Sequence, residues 1–207
     1  MNDQEKLWHG SFGDDYTKRM AGQDWIESNM VFFANALMKT KGVETILELG
    51  CNRGLNLAAL EYLDPSTYKT GIDINAKSLL ELSNMFDDLK LDQPYVHCTP
   101  IANYESLNTY DLVFTKGVLI HINPNQLDAV YQKMYDLSTK YILIAEYYNP
   151  TPVEVEYHGM HGKLWKRDFA GEMIDKFGLK LKDYGFTYRR DKFPQDDVSW
   201  FLLEKEV

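Results

Sequence analysis

Residues 45–60 of the chain read TILELGCNRGLNLAAL, and this stretch decides the fold. Apolar Ile46 and Leu47 suit a buried parallel strand, and the apolar residues after the turn suit one face of a helix. Between them, Gly50 and Gly54 allow the backbone to approach a ligand closely, because glycine has no Cβ atom. The sequence therefore predicts a strand, a glycine-containing turn and a helix, which together form a nucleotide-binding unit.

The pattern of the turn indicates which nucleotide it suits. A dinucleotide-binding fingerprint has the form GxGxxG, and its second glycine lets the chain approach a pyrophosphate. Asn52 occupies the position of that second glycine, so we expect a diphosphate to fit poorly. Glu48, two residues before Gly50, is well placed to meet a ligand amine or a cationic centre. S-adenosylmethionine carries both groups and no phosphate, so the turn favours it as the cofactor.

A second acidic residue supports this choice. Residues 68–74, YKTGIDI, read as the next parallel strand, and Asp73 lies near its end, 23 positions after Gly50. An acidic residue near that offset binds a ribose hydroxyl pair in nucleotide-binding folds, and a carboxylate accepts both hydroxyl hydrogens. The alternative is that Asp73 caps the following helix, a role that Asn75 can fill equally well.

Several motifs carry a family resemblance. The chain resembles class I S-adenosylmethionine-dependent methyltransferases in ILELGCNRG (46–54), GIDIN (71–75) and YDLVFTKGVLIHINP (110–124). It is similar to methylases associated with pseudaminic acid biosynthesis in LWHGSFGDDYTKRM (7–20), IAEYYNPTPVEVEY (144–157), LWKRDFAGE (164–172), DYGF (183–186) and DDVSWFLLEK (196–205). The resemblance spans nearly the whole chain. It implies methyl transfer from S-adenosylmethionine to a nonulosonic, pseudaminic-type acid sugar or its precursor.

Composition and charge narrow the class of partner. The chain has 207 residues, 44% of them hydrophobic and 26% charged, which is ordinary for one globular domain. Its 22 basic and 31 acidic residues give a net charge of −9, and no Lys- or Arg-rich run is present. We therefore expect a small-molecule acceptor and no nucleic acid partner. The oligomeric state is left open.

Neither a membrane nor a metal is expected as a partner. No apolar run reaches the roughly 20 residues that cross a bilayer, and the N-terminus lacks the features of a signal peptide, so we expect a cytoplasmic protein. Cys51 and Cys98 have neither the spacing of metal ligands nor that of a disulfide framework.

Alternating strand and helix periods predict the rest of the fold. Apolar residues that recur every three or four positions indicate helices between further strands, which are expected at 95–98, 111–115 and 141–145. Such alternation predicts a parallel sheet with helices on both faces. Asp168 is expected to cap a helix that Gly178 ends. Strands at 179–188 and 198–204 follow, and the resemblance identifies them as the family's antiparallel terminal hairpin.

The expected fold is therefore α/β and Rossmann-like. It is the class I methyltransferase fold, with a mostly parallel seven-stranded sheet, an antiparallel C-terminal hairpin and helices on both faces. We interpret residues 1–207 as a single methyltransferase domain. An N-terminal helical lid takes up residues 1–40, and a cofactor-binding core takes up residues 41–148. A substrate loop follows at 149–167, and a C-terminal helix with the hairpin completes the domain at 168–207.

In open parallel sheets the ligand lies beyond the carboxyl ends of the strands, so the candidate cofactor residues are expected there. After the third strand, Pro100 and Ile101 replace the acid that is common in the superfamily, and we expect backbone and apolar contacts to adenine. Gly117 is expected to let the chain pass beneath the methionine part of the cofactor. The predicted set at these strand ends is Glu48, Gly50, Cys51, Asn52, Gly54, Asn56, Asp73, Ile74, Pro100, Ile101, Thr115, Lys116 and Gly117.

The N-terminal segment supplies another predicted wall. Trp8, Phe12 and Tyr16 are four residues apart and would form one aromatic stripe on a helix, with Arg19 on the same side. Such a stripe usually belongs to a core. Because the resemblance covers this segment and a guanidinium can clamp a carboxylate, we interpret Trp8, Tyr16 and Arg19 as a lid over the cofactor.

The acceptor side is predicted around the end of the fifth strand. Tyrosine, amide and guanidinium groups suit a polyhydroxylated acceptor that bears a carboxylate. The candidates are His121, Glu146 and Tyr148 as catalytic residues, and Tyr147, Tyr157, His158 and Arg167 as substrate-binding residues. Simpler alternatives remain open. They are a carbonyl-bonded structural role for His121, packing on the sheet for Tyr147 and Tyr148, Asp168 or Asp183 as a partner for Arg167, and solvation for His158.

These residues predict in-line transfer of a methyl group from the cofactor sulfonium to an oxygen or nitrogen. Positioning of two reactants supplies roughly 7–11 kcal/mol, and a general base about 100- to 10,000-fold in rate, so we expect positioning to dominate. Alternative acceptors are another small acid, such as a phosphonate, or an amino sugar. From other classes, a nicotinamide-dependent oxidoreductase would need glycine at Asn52, and a non-catalytic cofactor-binding module would show no turnover.

Overall fold

The computed structural model describes residues 1–19 and 24–206. The helices are α1 (Asp3–His9), α2 (Ser11–Arg19), α3 (Asp24–Ala36), α4 (Leu55–Leu63), α5 (Ala76–Leu89), α6 (Pro124–Leu137) and α7 (Phe169–Phe177). The strands are β1 (Thr45–Leu49), β2 (Tyr68–Asp73), β3 (Tyr95–Cys98), β4 (Tyr110–Lys116), β5 (Ser138–Glu146), β6 (Val153–Tyr157), β7 (Met160–Lys166), β8 (Lys180–Phe186) and β9 (Ser199–Glu204). Single 3₁₀ turns lie at Ile101–Asn103 and Leu119–His121. None of the described helices is long and apolar enough to span a membrane.

The order of the strands agrees with the expected sheet. Seven strands lie in the order β3-β2-β1-β4-β5-β9-β8. The first five of these run parallel, whereas β9 pairs antiparallel with β5, and β8 pairs antiparallel with β9. The prediction of a Rossmann-like, mostly parallel sheet with an antiparallel C-terminal hairpin is confirmed. The chain passes from β3 to the other side of β1 to form β4, which places a topological switch point, and hence a ligand crevice, between β1 and β4.

Apolar side chains pack on both faces of this sheet, as the alternation of strands and helices predicts. Residues of α3, α4 and α5 pack with Ile46 and Phe114 on one face, and residues of α6 and α7 pack with Leu47 and Ile142 on the other. Successive side chains of a strand point to opposite faces, so Glu48 lies on the same face as Ile46. The prediction of helices on both faces is confirmed.

The N-terminal aromatic residues do not lie on one continuous helix. Gly10 ends α1, and α2 begins at the next residue. The aromatic rings still cluster, since the Trp8 ring centroid lies 5.3 Å from that of Phe12 and 5.3 Å from that of Tyr16. Residues 20–23 of the predicted lid, which include Met20 of the N-terminal motif, lie outside the described residues.

Residues 149–167, predicted as a loop, contain a β-hairpin instead. Strands β6 and β7 pair antiparallel, and they are joined at His158 and Gly159, whose φ angles are 50° and 76°. Two successive residues with positive φ form the tight turn whose twist matches that of the strands of a hairpin. The alternation in VEVEY, residues 153–157, carried the strand signal. The substrate role of this segment and the single-domain assignment stay predictions.

Gly54 fixes the packing of the first turn against α5. Its φ angle is 78°, and a Cβ atom there would lie 2.5 Å from Leu82 Cγ. We expect Gly54→Ala to lower the free energy of unfolding by about 2–4 kcal/mol, because it combines a left-handed alanine with overpacking. Urea denaturation measures this loss.

The matched control is Gly178→Ala. Gly178 also has a positive φ, 66°, but its Cβ position has no heavy atom within 4 Å. The free energy of unfolding of this variant should fall only by the cost of the left-handed backbone at alanine, about 1 kcal/mol. Equal losses in the two alanine variants would contradict the packing argument.

Candidate functional site

A cavity of about 310 Å³ lies at the carboxyl ends of the parallel strands. Its wall includes the turn after β1, the end of β2, the segment after β3, the end of β4 and Tyr147 just after β5. This is the edge at which the strand order switches between β1 and β4. Both the position and the size are those of a small-molecule site.

The turn after β1 is tied to the end of β2. The backbone N–H groups of Gly50 and Cys51 donate to the carbonyl of Ile72 at 2.8 and 2.9 Å. Gly50 has a φ of 80°, and a Cβ atom there would lie 2.6 Å from Val118 Cγ2. Gly50 therefore makes room for the loop after β4 and lines the cavity, and Gly54 makes room for α5. Asn52 also has a positive φ, 45°, which asparagine tolerates better than most residues.

Asp73 holds this turn with its carboxylate. One oxygen accepts from Asn52 N at 2.7 Å and the other from Asn75 N at 2.8 Å. The cap of α5 is Asn75, whose side chain accepts from the N–H groups of Lys77 and Ser78, so the alternative role of Asp73 as that cap is wrong. Burial raises the pKa of Asp73. Each oxygen keeps a lone pair for a ligand, and Asp73 lines the cavity.

Glu48 lies directly behind the cavity wall. Its side chain is 1% exposed, and its Oε1 atom accepts from Asn56 Nδ2 at 2.6 Å. Burial raises the pKa of Glu48 to about 8. Among the described residues, the buried atoms Glu48 Oε2, Asn56 Oδ1, Trp8 Nε1 and Arg53 Nε have no hydrogen-bond partner. Trp8, Arg53 and Asn56 line the cavity, and Glu48 lies behind Asn56. Because such atoms are costly to leave unpaired, these residues fit a polar ligand such as S-adenosylmethionine.

Glu146 organises the loop between β4 and α6. Its carboxylate accepts from the N–H groups of Val118, Leu119 and Ile120 at 3.0, 3.1 and 3.3 Å. The side chain is buried, which raises its pKa to about 7. Glu146 is not part of the cavity wall. Its catalytic role stays a prediction, and the contacts are those of a residue that positions His121.

His121 does line the cavity. Its Nδ1 atom lies 2.9 Å from the carbonyl oxygen of Lys163, and because a carbonyl only accepts, Nδ1 carries the proton and Nε2 keeps a free lone pair. The imidazole packs against the rings of Trp8 and Tyr157, whose centroids lie 4.7 and 4.8 Å from its own. Burial lowers the pKa of His121 to about 4, so the ring is neutral at pH 7. The hydrogen bond to a carbonyl agrees with the alternative that His121 is a structural histidine. It also leaves Nε2 available as a base.

The alternation of β5 separates three neighbouring candidates. Tyr147 lines the cavity, whereas Glu146 and Tyr148 lie on the opposite face of the sheet. On that face, the guanidinium of Arg167 bonds Glu172 through Nε at 2.8 Å and Nη2 at 2.7 Å. The partner of Arg167 is thus a glutamate on α7 and not an aspartate.

The cavity wall includes most of the predicted residues, namely Trp8, Tyr16, Gly50, Cys51, Asn52, Asn56, Asp73, Ile74, Pro100, Ile101, Lys116, Gly117, His121, Tyr147 and Tyr157. It does not include Arg19, Glu48, Gly54, Thr115, Glu146, Tyr148, His158 or Arg167. Arg19 lies over the rings of Phe12 and Tyr16, at 5.9 and 5.7 Å from their centroids. His158 is exposed at the hairpin turn. The individual roles of the predicted residues, both inside and outside the cavity wall, stay predictions.

The structure also places residues in the wall that sequence reasoning missed. Asn29 comes from α3, and Gln195 and Asp196 come from the segment before β9. Gln195 Nε2 donates to Asn29 Oδ1 at 2.8 Å, and the Tyr147 hydroxyl donates to Asp196 at 3.1 Å. These segments are far apart in sequence, and although Asp196 begins the motif DDVSWFLLEK, nothing local to either segment indicates that they meet at the cavity.

The described residues contain two cysteines and several residue types that can bind metals. Cys51 and Cys98 are both free, and burial raises the pKa of the Cys51 thiol well above its usual value. Within residues 1–19 and 24–206, no three His, Cys, Asp or Glu side chains converge as metal ligands.

Comparisons with known proteins agree with this geometry. Residues 46–140 match the family model described as methyltransferase domain. No curated protein matches the sequence.

Solved structures share the fold at low sequence identity. Magnesium protoporphyrin IX methyltransferase from Synechocystis PCC 6803, with bound SAM, is 16% identical with a TM-score of 0.73, and the match covers 100% of this chain and 99% of that chain. The N-methyltransferase NodS from Bradyrhizobium japonicum WM9, in complex with S-adenosyl-l-homocysteine, is 13% identical with a TM-score of 0.67, over 92% and 91% of the two chains. An S-adenosylmethionine-dependent methyltransferase from Clostridium acetobutylicum ATCC 824 is 12% identical with a TM-score of 0.65, over 95% and 98%.

The buried imidazole of His121 predicts a pH-dependent stability. The unfolded chain binds a proton at a pKa near 6.5 and the folded chain only near 4, so stability is complete above pH 6.5 and falls as the pH is lowered from 6.5 to 4. The loss is on the order of 3 kcal/mol.

The control variant is His121→Asn, which keeps a donor for the Lys163 carbonyl and does not titrate. Urea unfolding at pH 7.5 and pH 5.0 should show a smaller loss of stability in this variant than in the wild type. An identical loss in both proteins would remove His121 as the cause.

Proposed function

We infer that this chain, an S-adenosylmethionine-dependent methyltransferase by its domain match and its fold, transfers a methyl group to an oxygen or nitrogen of a small polar acceptor. One observation carries the inference, namely that a single cavity joins the β1 turn and Asp73 to His121, Tyr147 and Tyr157. Such a cavity brings a nucleoside cofactor and an acceptor together. The sequence resemblance suggests a nonulosonic, pseudaminic-type acid sugar or its precursor as that acceptor.

The residues of the first half of the cavity suit the parts of S-adenosylmethionine. Asp73 would accept from the ribose hydroxyls, and Pro100 and Ile101 would contact adenine. Asn56 lines the cavity and Glu48 lies behind it, and their unpaired oxygens would accept from the amino group. When bound, this cofactor supplies an electrophilic methyl group on a sulfonium.

The second half of the cavity positions the acceptor. His121 presents Nε2 to take the proton of an acceptor hydroxyl, and the aromatic rings of Trp8 and Tyr157 pack against the imidazole and hold it in place. Glu146 fixes the loop that carries His121. Because a base with a pKa near 4 is weak, alignment of the two reactants is expected to contribute more than proton transfer.

Asp73→Asn should weaken cofactor binding. The variant removes the charge that holds the ribose hydroxyls and places an amide group beside the N–H groups of Asn52 and Asn75, so we expect a loss of about 1–3 kcal/mol, or about 5- to 150-fold in affinity. Titration calorimetry with S-adenosylhomocysteine measures it. Asp88→Asn, an exposed position on α5, is the matched control and should bind as the wild type does. Unchanged affinity in folded Asp73→Asn would reject the ribose role.

The reaction is tested with a labelled methyl donor and a panel of acceptors. Nonulosonic acids, 2-aminoethylphosphonate and amino sugars are each incubated with the protein and the donor, and mass spectrometry follows labelled product and S-adenosylhomocysteine. Methylation of a nonulosonic acid would support the proposed acceptor. Methylation of a different compound of the panel would identify that compound's class as the acceptor instead. Cofactor binding with no acceptor-dependent release of S-adenosylhomocysteine would favour a binding module. Tight binding of NAD without binding of S-adenosylmethionine would favour an oxidoreductase.

A further inference from the structure

The part of the cavity wall farthest from the ribose-binding edge carries one cation and one anion. The strand order β2-β1-β4-β5-β9 places Asp73 at one side of the cavity and, in succession away from it, Lys116 at the end of β4, Tyr147 after β5 and Asp196 before β9. We call Lys116, Tyr147 and Asp196 the charged wall. Neither Tyr147 nor Asp196 is among the residues expected to hold the cofactor.

Lys116 presents an ammonium group that the described protein groups do not pair. Its side chain lies on the same face of the sheet as that of Phe114, and its Nζ atom lies 5.5 Å from the centroid of the Phe32 ring on α3. Within the described part of the chain, no carboxylate is close enough to Nζ to form an ion pair. Burial lowers the pKa of Lys116 to about 8, although the negative charges of Glu48, Asp196 and Glu146 favour the charged form. An anionic ligand group would supply the missing partner.

Asp196 presents a carboxylate that is held in place. The Tyr147 hydroxyl donates to its Oδ2 atom at 3.1 Å. Asp196 is exposed and lines the cavity, and this contact leaves further lone pairs of its carboxylate able to accept from a ligand. The neighbouring Gln195 is 4% exposed and bonds Asn29, which is 3% exposed, so the segment is anchored to α3. A carboxylate fixed in this way suits a ligand amine.

We propose that the charged wall is the acceptor subsite and that it selects a zwitterionic acceptor, whose carboxylate meets Lys116 and whose amino group meets Asp196. The acceptor class is a polyhydroxylated amino acid, such as an amino sugar acid. The proposal rests on the proposed function, because the cofactor is taken to fill the opposite half of the cavity. It reassigns Lys116 from the cofactor to the acceptor.

The test uses three matched probes with the protein loaded with S-adenosylhomocysteine. D-Glucosaminic acid carries both charges, D-gluconate carries only the carboxylate, and D-glucosamine carries only the amine. Calorimetry on the wild type should show D-glucosaminic acid binding about tenfold more tightly than either of the other two. Equal binding of the three probes would overturn the proposal.

Variants then assign each charge to its residue. Asp196→Asn should bind D-glucosaminic acid no better than D-gluconate, and Lys116→Gln should bind it no better than D-glucosamine. Asp197→Asn is the control, because Asp197 pairs with Arg189 and lies outside the cavity wall, and it should keep the wild-type preference. Retention of the preference in Asp196→Asn or Lys116→Gln would overturn the assignment of that charge.

The affinity for S-adenosylhomocysteine separates this inference from the proposed function. It should be unchanged in Asp196→Asn and Lys116→Gln, and a tenfold loss in Lys116→Gln would return that residue to the cofactor site and overturn the carboxylate half of the proposal. If the wild type does not bind S-adenosylhomocysteine, the proposed function fails. The probe series on the protein alone then still decides whether the charged wall prefers a zwitterion.

Discussion

The hydrogen bonds between the turn after β1 and the end of β2 are the constraint on which the site depends. The Ile72 carbonyl accepts from two successive amides of the turn, and the Asp73 carboxylate accepts from the next one. Together they hold the chain in the left-handed geometry at Gly50 and Asn52, which exposes backbone to the cavity. Asn52 extends the arrangement, because its side chain also donates to Thr17 of α2 at 3.1 Å. The cofactor half of the cavity and the N-terminal helices are thus fixed by one small network.

Local periodicity predicted the framework of the fold. Apolar runs and helical spacing located every strand of the seven-stranded sheet. The signal is strongest in the central strands β1, β4 and β5, because burial on both faces makes them apolar, whereas the edge strands β3 and β8 are largely exposed. The hairpin of β6 and β7 was missed although VEVEY alternates, since a segment rich in Pro, Gly, Tyr and His resembles a loop in composition. His158 and Gly159 form its turn with positive φ, and a histidine there is a weaker signal than asparagine or glycine.

The cofactor side of the site was more predictable than the acceptor side. Cofactor candidates sit at strand ends next to motifs, so topology alone brings Gly50, Asp73 and Gly117 to one edge. The acceptor side depends on which face a side chain takes, and the period of two in β5 directs Tyr147 into the cavity and its neighbours away from it. Asn29 and Asp196 reach the wall from α3 and from the segment before β9, and only tertiary packing brings such segments together.

The burial of charged groups around the cavity also couples ligand binding to protons. Glu48, with a pKa raised to about 8, is largely protonated at neutral pH, and a positively charged ligand group beside it favours the ionised form. We therefore expect the binding of such a ligand next to Glu48 to release a proton to the solvent. The apparent enthalpy of binding then includes the ionisation heat of the buffer. The enthalpies measured in phosphate and in Tris will therefore differ by the number of protons exchanged multiplied by the difference between the ionisation heats of the two buffers.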